Sequence, residues 1–196
     1  MCMGMFIMHD LYIFKVAVIG DSLVGKTSII QTFTSGGTQF SRSYSMTSDV
    51  ILNSKDVFMP ESKDSVQLLL YDSSGNSLYS DYLPKYWIGI NAIFAVFDVT
   101  CERSFDSVKK WVMLARKVEE SPLAESSGNI TPLGLLYANK VDLEGRRKVS
   151  PERAKTLASQ LGLAYFEGSA KSNIMIEEAF TYLANEFYKN SVEDKM

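Results

Sequence analysis

The sequence predicts an α/β domain, a mostly parallel sheet covered by helices on both faces. Two observations carry this prediction. Short apolar runs rich in β-branched and aromatic residues alternate along the chain with segments of helical spacing. Several of these runs are apolar at nearly every position, as strands buried on both faces are. The 196 residues, 46% hydrophobic and 22% charged, suffice for one sizeable core.

Taken in order, residues 12–19 (YIFKVAVI) form the first strand and residues 26–33 the first helix. Residues 34–48 are polar and carry Gly36 and Gly37, the composition of a flexible loop. Strands follow at 66–71, 92–99 and 133–138, with a shorter one at 164–166. Helices fall at 104–118 and 150–161, the latter with Ser150 as N-cap and Pro151 at the first helical position. The last helix, 174–188, sets Ile176, Ala179, Phe180, Leu183 and Phe187 on one face, a stripe that packs into the core. Tyr79, Tyr82, Tyr86 and Trp87 either seat a helix on the sheet or form a partner surface. Residues 121–131 read as a surface loop. Residues 1–11 are a short N-terminal extension, 12–190 the domain and 191–196 a short tail.

Composition narrows the function. Twenty basic against twenty-three acidic residues leave a net charge of -3, the wrong balance for a general nucleic-acid binder. One histidine (His9) and two distant cysteines (Cys2 and Cys101) cannot build a structural zinc site, and they fit a chain with reduced thiols. No apolar run approaches the roughly 20 residues that span a bilayer. The greasy residues 1–8 lack the basic start of a signal peptide. The expectation is a soluble cytoplasmic protein.

Folds of this class bind ligands at the carboxyl ends of their strands. After the first strand stands Gly20-Asp21-Ser22-Leu23-Val24-Gly25-Lys26-Thr27, which fits G-x-x-x-x-G-K-[ST] and opens a helix. In that setting successive backbone N–H groups turn inward and the helix N-terminus adds partial positive charge, a cradle for phosphates. Lys26 reaches the β and γ phosphates, and the Thr27 hydroxyl is a hard oxygen ligand for Mg²⁺. The candidate phosphate contacts are Gly20, Asp21, Ser22, Val24, Gly25, Lys26, Thr27 and Ser28. This loop alone does not choose the base, since an ATP-dependent small-molecule kinase carries the same one.

Later loops discriminate. Asn139-Lys140-Val141-Asp142 follows the 133–138 strand. The Asp142 carboxylate can accept from both the N1–H and the exocyclic amine of guanine, a pairing adenine cannot offer. Asn139 can tie this loop to the phosphate loop, and the Lys140 stem can lie across the purine. After the last strand, backbone N–H groups of Ser169, Ala170 and Lys171 can meet the guanine O6. Together these loops favour GTP or GDP over ATP. Asp72 is placed to hold Mg²⁺ through a water, and the Gly75 N–H to sense a γ-phosphate. Thr47, in the polar loop, can complete the Mg²⁺ shell when that phosphate is present, an order–disorder switch.

The set GDSLVGKT, Thr47, Asp72-Ser73-Ser74-Gly75-Asn76, NKVD and Gly168-Ser169-Ala170-Lys171 resembles the five guanine-nucleotide boxes of the Ras-like small GTPases. Phe97-Asp98-Val99-Thr100, Ser104-Phe105 and Trp111 resemble the Rab branch. Phe33-Thr34-Ser35-Gly36-Gly37 leading to Phe40, then residues 43–48, Leu78-Tyr79 and Ala138-Asn139-Lys140 resemble the Rab-like GTPase subunits of intraflagellar transport complex B. The resemblance spans residues 12–188. It implies the three-layer P-loop small-GTPase fold with a six-stranded sheet, and GTP or GDP with Mg²⁺ as ligands. It places Phe40 at the guanine edge and Thr27, Thr47 and Asp72 at Mg²⁺. It further implies a cilium or flagellum and its basal region, with a small β-sandwich partner among other complex B subunits.

Three departures from an ordinary Rab matter. Asn76 stands where a glutamine orients the attacking water, one methylene short, so slow intrinsic hydrolysis is expected. The tail (SVEDKM) carries no cysteine for prenylation, so no direct lipid anchor is expected. Ser48-Asp49 replaces the Rab Ile-Gly, which argues against ordinary Rab effectors. Two readings follow: a subunit of ciliary transport, or a conventional Rab switch in vesicle traffic.

Overall fold

The computed structural model describes residues 11–40, 46–119 and 132–193. The expected N-terminal extension up to residue 10, part of the polar loop (41–45), the 121–131 loop and the last three residues of the tail lie outside these. Six strands make one sheet in the order β2-β3-β1-β4-β5-β6. They are β1 (Leu11–Ile19), β2 (Val50–Phe58), β3 (Ser65–Ser73), β4 (Ala92–Asp98), β5 (Leu133–Asn139) and β6 (Ala164–Glu167). All pairings are parallel except that of edge strand β2 with β3. From β1 the chain runs out to edge strand β2, turns back through β3 beside β1, then crosses to β4 on the other side of β1. The carboxyl ends of β1, β3, β4, β5 and β6 therefore open on one rim, where such sheets bind ligands.

The buried, uniformly apolar strands need cover on both faces. On one face α1 (Lys26–Thr34) and α5 (Ile176–Glu193) pack against Phe14, Val16, Val18, Leu68, Leu70 and Phe94. Phe180 of α5 stacks on Phe33 at 4.1 Å and on Phe94 at 4.6 Å between ring centroids. Ile176, Ala179 and Leu183 are buried with it, and Phe187 stacks on Phe14 at 4.3 Å, so the helical stripe is core. On the other face α3 (Val108–Glu119) and α4 (Pro151–Gln160) cover Ala17, Ile19, Ile93, Ala95, Phe97 and Leu136. Each fully buried large side chain contributes about 1.5–3 kcal/mol relative to exposure.

Several elements depart from expectation. β2 falls in a region read as containing no strand; its VILNSKDVF is half polar because an edge strand needs little apolar cover. The expected helix 104–118 starts earlier and is split into α2 (Glu102–Asp106) and α3, with Ser107 between them. There the Ser107 hydroxyl and backbone N–H both donate to Arg103 O, at 3.0 and 3.1 Å. The aromatic segment after β3 is no regular helix but two 3₁₀ turns, Ser77–Tyr79 and Leu83–Tyr86. Its rings divide: Trp87 is fully buried and donates to Ser73 Oγ at 3.0 Å, whereas Tyr82 faces solvent. The last helix begins two residues late, since Asn173 and Met175 hold positive φ and Ile174 bridges to Ser169. It then continues to Glu193, into the segment read as a tail.

Candidate functional site

The glycine loop lies at the rim between β1 and α1. Gly20 and Gly25 take φ of 141° and 101°, and a Cβ on either would collide, with Val96 O and Asn139 Nδ2 respectively. Both positions need glycine. The Lys26 ammonium is buried and folded back onto the loop, donating to Gly20 O at 2.9 Å and Asp21 O at 2.8 Å. Burial lowers its pKa to about 8, against the pull of the Asp72 and Asp21 charges. From α3, Trp111 Nε1 donates to Asp21 Oδ1 at 2.7 Å and steadies the loop's first turn. The Gly75 backbone lies directly against Asp21 and Ser22, where any side chain would collide.

Two further loops meet this one. Asn139, at the end of β5, donates from Nδ2 to Val24 O at 2.8 Å and accepts on Oδ1 from Ala170 N at 3.1 Å. Lys140 reaches from the same turn to Leu23 O and to Asp98 Oδ2, both at 2.7 Å. Ser169 Oγ donates to Asp142 Oδ1 at 2.6 Å, and Lys171 Nζ stands 3.7 Å from Asp142 Oδ2. The Thr32 hydroxyl adds a buried bond to Ala170 O at 3.2 Å.

The three oxygens expected at a metal converge. Thr27 Oγ1 donates to Asp72 Oδ2 at 2.6 Å and lies 3.1 Å from Thr47 Oγ1. Asp72 Oδ1 is buried and has no hydrogen-bond partner. Burial raises the carboxyl's pKa, the Thr27 hydrogen bond and the Lys26 charge opposing it. An orphaned buried carboxylate oxygen beside two hydroxyls fits a hard divalent cation. Among the described residues no cluster of three or more His, Cys, Asp or Glu could hold a metal. A cation here would thus need further oxygens from a ligand.

The loops enclose a cavity of about 390 Å³. Of the expected residues Ser22, Gly25, Lys26, Thr27, Ser28, Phe40, Thr47, Gly75, Asn139, Lys140, Asp142, Ser169, Ala170 and Lys171 line it. Gly20, Asp21, Val24 and Asp72 do not. Gly20 and Asp21 tie down Lys26, Val24 is a core residue whose carbonyl anchors Asn139, and Asp72 sits behind Thr27. Leu23, Gln31, Met46 and Leu143 line the cavity without having been expected. Leu23 sits at a variable position of the glycine loop and Leu143 directly follows Asp142, so only their loops flagged them.

A Ras family profile matches residues 15–189. An intraflagellar transport protein 27 homolog of Bos taurus is 40% identical over 174 residues, 89% of each chain. Intraflagellar transport protein 27 of Chlamydomonas reinhardtii is 37% identical over 187 residues, 93% of this chain and 87% of its own. Ras-related protein Rab-8 of Diplobatis ommata is 33% identical over 175 residues, 89% of this chain and 77% of its own.

Proposed function

The chain belongs to the Ras family, as a Rab-like GTP-binding small GTPase, and on that premise we propose that it holds GTP or GDP with Mg²⁺ in this cavity and serves as a subunit of the intraflagellar transport machinery. The observation that carries the nucleotide reading is the junction at Asn139. One amide side chain bonds the phosphate loop through Val24 and the second base loop through Ala170, so the two grips are built as one unit. Asp142, lining the base end, selects guanine by accepting from N1–H and the exocyclic amine. Thr27, Thr47 and Asp72 would hold Mg²⁺, which neutralises phosphate charge when bound.

Hydrolysis is slow in this reading. The Asn76 side chain is short, and its Oδ1 accepts from Leu78 N at 3.0 Å, capping the next turn rather than reaching for water. A displacement of about an ångström costs about a hundredfold. Asn76→Gln is expected to speed single-turnover hydrolysis about tenfold. A wild-type rate already at activator-stimulated level, without a partner, would refute the assignment.

The transport role rests on the relatives' names and on the resemblance carried by the stretch from Phe33 to Phe40. It brings with it a cilium or flagellum as the location, and a small β-sandwich protein with other complex B subunits as partners. Calorimetry on the purified chain tests the base. Heat with GDP and GTP in Mg²⁺, and none with ATP, is expected. No heat with either guanine nucleotide, and none carried through purification, overturns the reading. A pull-down from ciliated cells tests the role: recovery of Rab escort proteins without transport subunits would favour vesicle traffic.

A further inference from the structure

Outside the cavity lining, a guanidinium that no motif predicts joins the two base-side loops. Arg147 follows the 3₁₀ run Val141–Arg146, which contains Asp142 and is broken by non-helical Leu143. Its Nε donates to both Glu144 carboxylate oxygens at 2.8 Å, its Nη2 to Glu167 Oε2 at 2.7 Å and its Nη1 to Val149 O at 3.2 Å. The side chain is only 14% exposed. Its root is fixed too, because Lys148 N and Val149 N both donate to Val99 O, just past the end of β4. Glu167 is the last residue of β6 and directly precedes Gly168 and Ser169.

Resting on the nucleotide reading above, we infer that Arg147 is a positioning residue that clasps the two base-side loops from outside, setting how long a guanine nucleotide stays and how sharply guanine is told from hypoxanthine. The loops touch inside through Ser169 Oγ to Asp142 Oδ1 and through Val141 N to Gly168 O at 3.1 Å. Arg147 to Glu167 closes the same pair of loops on the outer side, so Asp142 is held between two fastenings. A planar fork with three fixed partners does this better than a flexible ammonium. Without it the short irregular turn has one brace fewer, and Glu144 and Glu167 lose their shared counter-charge. Discrimination follows from geometry: hypoxanthine lacks the amine that guanine offers to Asp142. A fixed carboxylate gains from both donors, whereas a wandering one gains little from the second.

The test uses the full chain in Mg²⁺ buffer, with dissociation rates and affinities measured for GDP and IDP. Arg147→Gln is expected to release GDP about tenfold faster, the loss of one or two charged hydrogen bonds, and to shrink the GDP-over-IDP preference. Arg147→Lys should fall between Gln and wild type. Glu167→Gln, which keeps the Arg147–Glu144 pair, should reproduce the direction and decides between the outcomes if Arg147→Gln does not fold. Rates and preference within twofold of wild type in the folded variants overturn the inference, even if their melting temperatures drop. A wild type that retains no GDP overturns the nucleotide reading itself, and that result is distinguishable because it precedes any variant.

Discussion

Tyr137 shows how one core side chain governs a loop of the site. It is fully buried on β5, and its hydroxyl donates to Ile174 O at 2.8 Å. Ile174 pairs with Ser169, the residue that holds Asp142, and a Cβ at Gly168 would collide with the Tyr137 hydroxyl. Burial first, and then the Glu178 charge, push the phenol far above its ordinary range. The folded state therefore keeps Tyr137 neutral while the unfolded chain ionises it above about pH 10. Its contribution is complete below that pH and is lost above it, by about 1.4 kcal/mol per pH unit. The melting temperature of wild type should fall more steeply beyond pH 10 than that of Tyr137→Phe; parallel slopes would show that Tyr137 does not titrate as argued. This residue was invisible in the sequence, and so was Trp111 as a brace for Asp21, 90 positions away. That Lys26, Thr27, Asn139 and Asp142 share one cavity was legible because their motifs stand at strand ends. Braces act across strands, and spacing says nothing of who faces whom.

At the scale of elements, legibility followed how local the cause is. The start of α4 is written entirely in its own residues: Ser150 Oγ accepts from Arg153 N at 3.3 Å, and Pro151 occupies the first turn. Ser150→Ala should cost about 1 kcal/mol, or about 3 °C in a chain of this size. GDP dissociation should stay within twofold of wild type, because no α4 side chain lines the cavity. A faster release would mean that α4 braces the neighbouring base loop. β2 is the opposite case. Half-polar residues become a strand only because β3 offers them nine paired positions, Val50 to Phe58 against Ser73 to Ser65. The 3₁₀ turns after β3 likewise go with a contact made across the fold, Trp87 Nε1 to Ser73 Oγ. Periodicity averages over such contacts and misses them.

At the scale of the whole molecule, the cavity draws its walls from the ends of β1, β3, β5 and β6 and from the segment around Phe40 and Thr47. These strands are separate in sequence and brought together only in the folded sheet, so a ligand that touches all their loops has no binding site in the unfolded chain. Stability must then rise with ligand by mass action. At about 100 times the dissociation constant the gain is about 2.7 kcal/mol, which for this chain length corresponds to about 5–10 °C in melting temperature. GDP with Mg²⁺ should produce that shift and ATP at the same concentration none. If the proposed Mg²⁺ site is right, chelating Mg²⁺ should remove part of it, because Asp72 Oδ1 is buried without a hydrogen-bond partner. A shift of equal size with ATP would mean that the phosphate grip alone carries the affinity, and that Asp142 and its clasp do not choose the base.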